Sequence, residues 1–276
     1  MNFWLSLFLL LEIGCSQAVP KIEKISLPLI QDIQRADLYV LKLTEHPVAI
    51  LVLSPGFNDN GMTWLQNPLW QKFAQDHNLG LVGLSFASDT KLLQKGHGYY
   101  YPSQGSGQLL IEGINQAFGR DIPLLLYGFS GGAHFTAAFA EWKPQQVKGW
   151  CAYSAGWWEK PSAISNSPPG IVACGDEDER YGASLSYFKQ GRSLGKPWLW
   201  ISLFKTGHIL SLPLESFVRD YFAVLLRPKE STPSGRWMDI DLKTNADPDT
   251  VTHQPSMTGW LPDGKLLTKW KEIHQP

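Results

Sequence analysis

Leu124-Leu125-Leu126-Tyr127-Gly128-Phe129-Ser130-Gly131-Gly132-Ala133-His134 is an apolar run, a glycine-rich turn with a serine at its tip, and the opening of a helix. Beyond it Phe135, Ala138, Phe139 and Trp142 recur at helical spacing until Pro144 ends the run. The glycines have a steric reason. Backbone that passes close to a serine on a strained turn leaves no room for neighbouring Cβ atoms. A serine at a helix N-terminus also sits beside unpaired N–H groups, which favour developing negative charge.

Gly128-x-Ser130-x-Gly132 is the nucleophile-elbow pattern. Five residues of common types say little alone, and a turn without chemistry has the same composition. The strand before it and the helix after it carry the stronger signal.

Upstream, Leu38, Val40, Leu41 and Leu43 indicate an early strand, and residues 21–30 show no clear pattern. Val48 to Leu53 is a continuous apolar run, as expected of a strand buried on both faces. It feeds the turn-rich segment Ser54-Pro55-Gly56-Phe57-Asn58-Asp59-Asn60-Gly61. Asn67 then caps a helix with Pro68 at its first position and Leu69, Trp70 and Phe73 on its apolar face. Leu79 to Phe86 is the next strand. The long connection 87–105 holds Tyr99, Tyr100 and Tyr101, and long connections are often functional. Ser106 is the expected cap of a helix that Gly119 ends.

Downstream, Val147–Tyr153, Gly170–Cys174 and Pro197–Phe204 read as strands, residues 182–194 as a helix, and Pro213 opens a last core helix. The interval 154–169 is too short for a large lid. Strands alternating with helices predict an α/β fold: a mostly parallel sheet with helices on both faces. Sites in such sheets form at the carboxyl ends of strands. That selects the loops after Leu53, Tyr127, Cys174 and Phe204.

Those loops hold a hydrolytic set. Ser130 is in the second, Gly175-Asp176-Glu177-Asp178-Glu179-Arg180 is the third, and Thr206-Gly207-His208 is the fourth. A serine hydroxyl needs a base to take its proton, and histidine is the natural base near neutrality. The histidine in turn needs a carboxylate to fix its tautomer. The chain order Ser, Asp, His is that of α/β-hydrolases.

On these motifs, residues 35–227 resemble the α/β-hydrolase fold without a large lid domain. The likeness is greatest to secreted esterases and polyhydroxybutyrate-depolymerase-like serine hydrolases. The resemblance implies Ser130 as nucleophile, His208 as base and Asp178 as acid, with Asp176 as the competing carboxylate. It implies an oxyanion hole made by the N–H of Gly131 and a second N–H from Phe57, with Asn58 as the alternative. Ser54-Pro55-Gly56-Phe57 carries proline where such proteins usually have histidine. Tyr99, Tyr100 and Trp157 are candidates for substrate contact, as is His97; each of the aromatics has packing as its competing role. Trp158 is read the same way. His134, one helical turn after Ser130, is expected to be packed. The acidic run 176–179 lacks the ligand spacing of a calcium loop, and no metal or organic cofactor is expected.

The chain has 276 residues, a net charge of −1 and 43% hydrophobic residues, enough for one sizeable core and giving no reason to expect a nucleic-acid partner. Its 12 tryptophans either fill the core or line a groove for a flat or apolar ligand. Residues 1–18 read as a signal peptide, with a lipoprotein acceptor at Cys15 as the lesser alternative. Cys151 and Cys174 fall in strands, as separate thiols or a disulfide. Residues 19–227 are then the catalytic domain. Residues 228–276 are an extension that docks through Leu266, Leu267, Trp270 and Ile273. The expectation is a secreted or periplasmic serine hydrolase of small-molecule or polymeric carboxylic esters, at a membrane only if lipidated at Cys15. A serine peptidase, and a non-catalytic carbohydrate- or polymer-binding protein on the same scaffold, are the alternatives.

Overall fold

Apolar runs bounded by turn residues become the strands of one sheet. The computed structural model describes residues 21–119, 121–163, 166–228, 235–246 and 254–274. The expected signal peptide 1–18 and Cys15 lie outside the described residues. The strands are β1 (Ile22–Ser26), β2 (Arg35–Leu41), β3 (Ala49–Ser54), β4 (Leu79–Ala87), β5 (Leu124–Phe129), β6 (Val147–Tyr153), β7 (Gly170–Gly175) and β8 (Trp198–Leu203). They form an eight-stranded sheet in the order β1-β2-β4-β3-β5-β6-β7-β8. The pairs from β4–β3 through β7–β8 are parallel, and β2 runs antiparallel to both its neighbours.

The helices are α1 (Gly61–Leu65), α2 (Pro68–Asp76), α3 (Thr90–Gln94), α4 (Ser106–Phe118), α5 (Gly131–Trp142), α6 (Tyr181–Ser193) and α7 (Leu212–Leu225). They cover both faces, because successive residues of a strand point oppositely. Tyr127 of β5 meets Trp64 and Trp70 of α1 and α2, with ring centroids 5.6 and 5.2 Å away. The next residue, Gly128, faces Gly132 and Thr136 of α5. Every residue of β3, β4 and β7 is buried, as two covered faces require.

Three details differ from the sequence reading. β1 gives no clear pattern because it is an edge strand with three of its five residues exposed, held by antiparallel pairing to β2. Ser106 does not cap α4: Gly105 does, at φ 117°, while Ser106 Oγ donates to the Tyr99 carbonyl at 3.0 Å. On α2, Asn67 accepts from the Leu69 N–H as expected, but Leu69 itself is exposed, and Trp70, Phe73 and Ala74 make the buried face.

Beyond α7, β9 (Arg236–Asp239) and β10 (Thr258–Leu261) form a small antiparallel ribbon, followed by α8 (Leu267–Ile273). Both pack on the β8 side of the sheet. Trp270 is fully buried, and its indole N–H donates to the Trp200 carbonyl at 3.0 Å. Buried Arg192 of α6 donates to Thr258 O at 2.7 Å and to Thr258 Oγ1 at 3.0 Å, and its guanidinium lies 3.8 Å from the Trp237 ring centre. These segments cover an edge strand that would otherwise present unpaired backbone. Cys151 and Cys174 are free, buried thiols.

Candidate active site

The site begins at the end of β5. Ser130 has φ 52° and ψ −115°, a conformation that L-residues rarely adopt, and it caps α5. Its N–H donates to Tyr153 O at 2.8 Å and its carbonyl accepts from Ala133 at 3.0 Å, so neighbouring structure holds the strain. The glycines around it are pressed against neighbouring backbone. A Cβ on Gly128 would lie 2.3 Å from Gly132 O, and one on Gly132 would lie 2.0 Å from Ser54 O.

From the end of β8, His208 reaches back to this serine. Its Nε2 is 2.9 Å from Ser130 Oγ and its Nδ1 is 2.8 Å from Asp178 Oδ2. The hydrogen bonds join residues that are 78 and 30 positions apart in the chain. Phe129 stacks on the imidazole with centroids 4.9 Å apart, and Tyr153 donates to the Ile209 carbonyl at 2.6 Å, so the histidine loop is held on two sides.

Asp178 is buried after β7. Burial works to raise its carboxyl. Hydrogen bonds from His208, from the Arg180 N–H and guanidinium, and from Ser154 outweigh it and hold the group down at about 2. Asp178 is therefore a carboxylate at neutral pH. The competing Asp176 is exposed and instead accepts the Thr206 N–H at 3.3 Å, tying the acid loop to the histidine loop. Gly175 permits that approach, since a Cβ there would lie 2.0 Å from Thr206 O.

The loop after β3 runs past the N-terminus of α5. A Cβ on Gly131 would lie 2.7 Å from Phe57 N, so the two backbones face each other at the serine. The Asn58 N–H is taken by Tyr99 Oη at 3.2 Å, whereas the Phe57 N–H makes no hydrogen bond among the described residues. That favours Phe57 over Asn58 as the free donor. The Phe57 side chain itself is exposed.

This loop rests on residues that no local motif marks. Arg35 donates to Asn58 O at 2.5 Å and to Asp59 O at 2.7 Å. Asn58 and Ser88 exchange side-chain-to-backbone hydrogen bonds at 3.0 and 3.1 Å. Only the tertiary fold brings Arg35 and Ser88 to the Phe57 turn.

Of the aromatic candidates, Tyr100 stands against the serine turn at Gly131, Trp157 packs on Tyr100 and His134 to extend that wall, and Tyr99 meets Tyr100 edge-on. Tyr99 is 2% exposed and its hydroxyl supports Asn58, a place in the scaffold that sequence position could not distinguish from the wall. His134 is buried between Tyr100, stacked at 4.4 Å, and Trp157 at 4.3 Å, and it accepts the Gly156 N–H at 2.9 Å. Burial first, and then the Arg180 charge, push its imidazole down to about 3, so it is neutral. His97 faces Asp32 at 3.7 Å. Trp158 stacks on Tyr187 at 4.4 Å and donates to Ser184 Oγ at 3.2 Å. A cavity of about 270 Å³ runs along α5 from this wall, between Tyr100, His134, Trp157, Trp158 and Tyr187. It adjoins the serine without containing it. Among the described residues no group of His, Cys, Asp and Glu is placed to hold a metal ion, and no helix is long and apolar enough to cross a membrane.

A mostly parallel sheet in this strand order, with helices on both faces and a strained serine turn after β5, is the α/β-hydrolase fold. Solved structures of serine hydrolases and esterases share it. The S-formylglutathione hydrolase of Staphylococcus aureus superposes with a TM-score of 0.55 at 14% identity, covering 76% of this chain and 100% of that one. The fluorophosphonate-binding serine hydrolase F of Staphylococcus aureus gives 0.53 at 16% identity, covering 75% and 99%. A poly(3-hydroxybutyrate) depolymerase of Bordetella parapertussis gives 0.52 at 16%, covering 75% and 89%. No protein-family profile matches the chain, and no curated protein matches it in sequence.

Proposed function

We propose that this protein is a serine hydrolase of carboxylic esters, exported by its N-terminal leader, with residues 19–227 as the catalytic domain. The observation that carries the reading is the hydrogen-bonded chain from Asp178 through His208 to Ser130, at 2.8 and 2.9 Å, ending on a serine held in a strained turn.

The chemistry follows from that chain. Ser130 Oγ attacks the ester carbonyl carbon while His208 Nε2 takes the hydroxyl proton. The carbonyl π pair moves onto oxygen, where the N–H groups of Gly131 and Phe57 meet the new charge. Asp178, ionised and hydrogen-bonded to Nδ1, keeps the proton on that nitrogen and stabilises the imidazolium. When the intermediate collapses, the bond to the leaving oxygen breaks and His208 returns the proton to it. Water then repeats the sequence on the acyl-enzyme.

Turnover of a short-acyl nitrophenyl ester tests the reading. Wild-type protein should hydrolyse it, and Ser130→Ala should abolish the activity. Undiminished turnover in the variant would overturn the assignment.

A further inference from the structure

Tyr100 is placed more closely to the serine turn than a wall residue needs to be. A Cβ built on Gly131 would lie 2.7 Å from Tyr100 Oη and equally 2.7 Å from Phe57 N. The hydroxyl and the amide therefore converge on the residue that follows Ser130. The phenol ring has little freedom to leave. Tyr99 meets it edge-on at 4.7 Å, His134 lies parallel to it at 4.4 Å, and Trp157 closes the remaining side at 5.5 Å.

The hydroxyl also stays protonated. Tyr99 Oη accepts the Asn58 N–H at 3.2 Å, which leaves its own proton to donate. The Tyr100 hydroxyl beside it is the one that faces Gly131. Burial pushes the Tyr100 hydroxyl up to about 12, so it keeps its proton at neutral pH.

We propose that Tyr100 is a catalytic residue, a third oxyanion donor whose O–H joins the N–H groups of Gly131 and Phe57 on the developing negative oxygen. The proposal rests on the serine-hydrolase reading above. The phenolic proton is shared and not transferred: the proton that moves is the one from Ser130 Oγ to His208, then to the leaving oxygen. As the intermediate forms, the carbonyl oxygen gains charge and the Tyr100 hydrogen bond tightens. As it collapses, the electron pair returns to the carbonyl and the bond relaxes. An interaction that strengthens only in the transition state raises kcat and leaves ground-state binding alone.

Tyr100→Phe isolates the hydroxyl, because it keeps the ring and its three ring neighbours. With a nitrophenyl ester, kcat should fall by about tenfold to a hundredfold, while KM changes by less than about threefold. A short alkyl trifluoromethyl ketone, which forms a charged adduct with the serine, should lose affinity by the same factor as kcat/KM. A non-reacting methyl ketone of the same length should bind both proteins alike. A purely structural role would weaken both ketones together, and that result would overturn the proposal. So would wild-type kcat and wild-type trifluoromethyl ketone affinity in the variant. Wild-type protein that neither turns over the ester nor binds the trifluoromethyl ketone would instead overturn the hydrolase reading, and this proposal with it.

Discussion

The Cα of Gly132 packs so closely on the end of β3 that a Cβ at this position would lie 2.0 Å from Ser54 O. The Pro55 carbonyl is next, at 2.4 Å. Both atoms are backbone, so neither can swing aside as a flexible side chain would. This contact sets the distance between the serine turn and the loop that carries Phe57. Gly132→Ala should therefore cost about 3 kcal/mol or more of stability, a large overpacking effect. Gly182→Ala is the control, because nothing lies within 4 Å of its Cβ; it should stay within about 1 kcal/mol of wild type. Denaturation midpoints check both, and equal midpoints would contradict the packing argument.

The strain at Ser130 predicts a ranking between two inactive variants. At φ 52° and ψ −115° any residue with a Cβ is strained. Ser130→Ala keeps that cost, and Ser130→Gly removes about 1–3 kcal/mol of it against about 0.5–1 kcal/mol of added chain entropy. The glycine variant should melt higher than the alanine variant. The reverse order would show that the turn is relaxed.

Asp178 gives a pH dependence of known sign. Its folded carboxyl sits at about 2, below its ordinary 3.8. Between those values the unfolded chain binds the proton more readily, so stability rises with pH across that window. The contribution is complete above the ordinary value and is lost as pH falls toward 2. Asp178→Asn should flatten this part of the stability curve, and it should lower kcat by about 10⁴-fold by releasing the wrong tautomer of His208. A curve of unchanged slope would show that the carboxylate is not stabilised by folding.

The ribbon and α8 should behave as part of the folded unit. Trp270→Ala removes a fully buried indole and its hydrogen bond to Trp200 O, for about 3–5 kcal/mol. Deletion after Arg227 should lower the melting temperature further, because it uncovers the β8 edge and leaves Arg192 without Thr258. Unchanged melting of the truncated chain would show that residues 228–276 contribute nothing.

The sheet was largely legible because its signals are local. Val48–Leu53 and Gly170–Cys174 are apolar runs between turn formers, and strand-end position alone directs attention to the loops holding Ser130, Asp178 and His208. What local pattern cannot carry is the choice among neighbours. Asp176 and Asp178 share one loop. Only the fold shows that the first reaches the Thr206 N–H and the second reaches His208. Phe57 and Asn58 are adjacent, and the difference between them is that buried Tyr99 occupies the Asn58 N–H. Tyr99 and Tyr100 read identically in a tyrosine cluster, yet one supports the loop and the other faces Gly131. Arg192 and Thr258, 66 positions apart, join the ribbon to α6 through a contact with no sequence signature.

Labelling with a fluorophosphonate probe, followed by mapping of the modified peptide by mass spectrometry, tests the central claim most directly. A serine whose proton is drawn by His208 should react stoichiometrically, at Ser130 alone, and Ser130→Ala and His208→Ala should both abolish the label. Native protein that ester turnover, folding and purity show to be intact, yet that leaves Ser130 unmodified, would contradict the account.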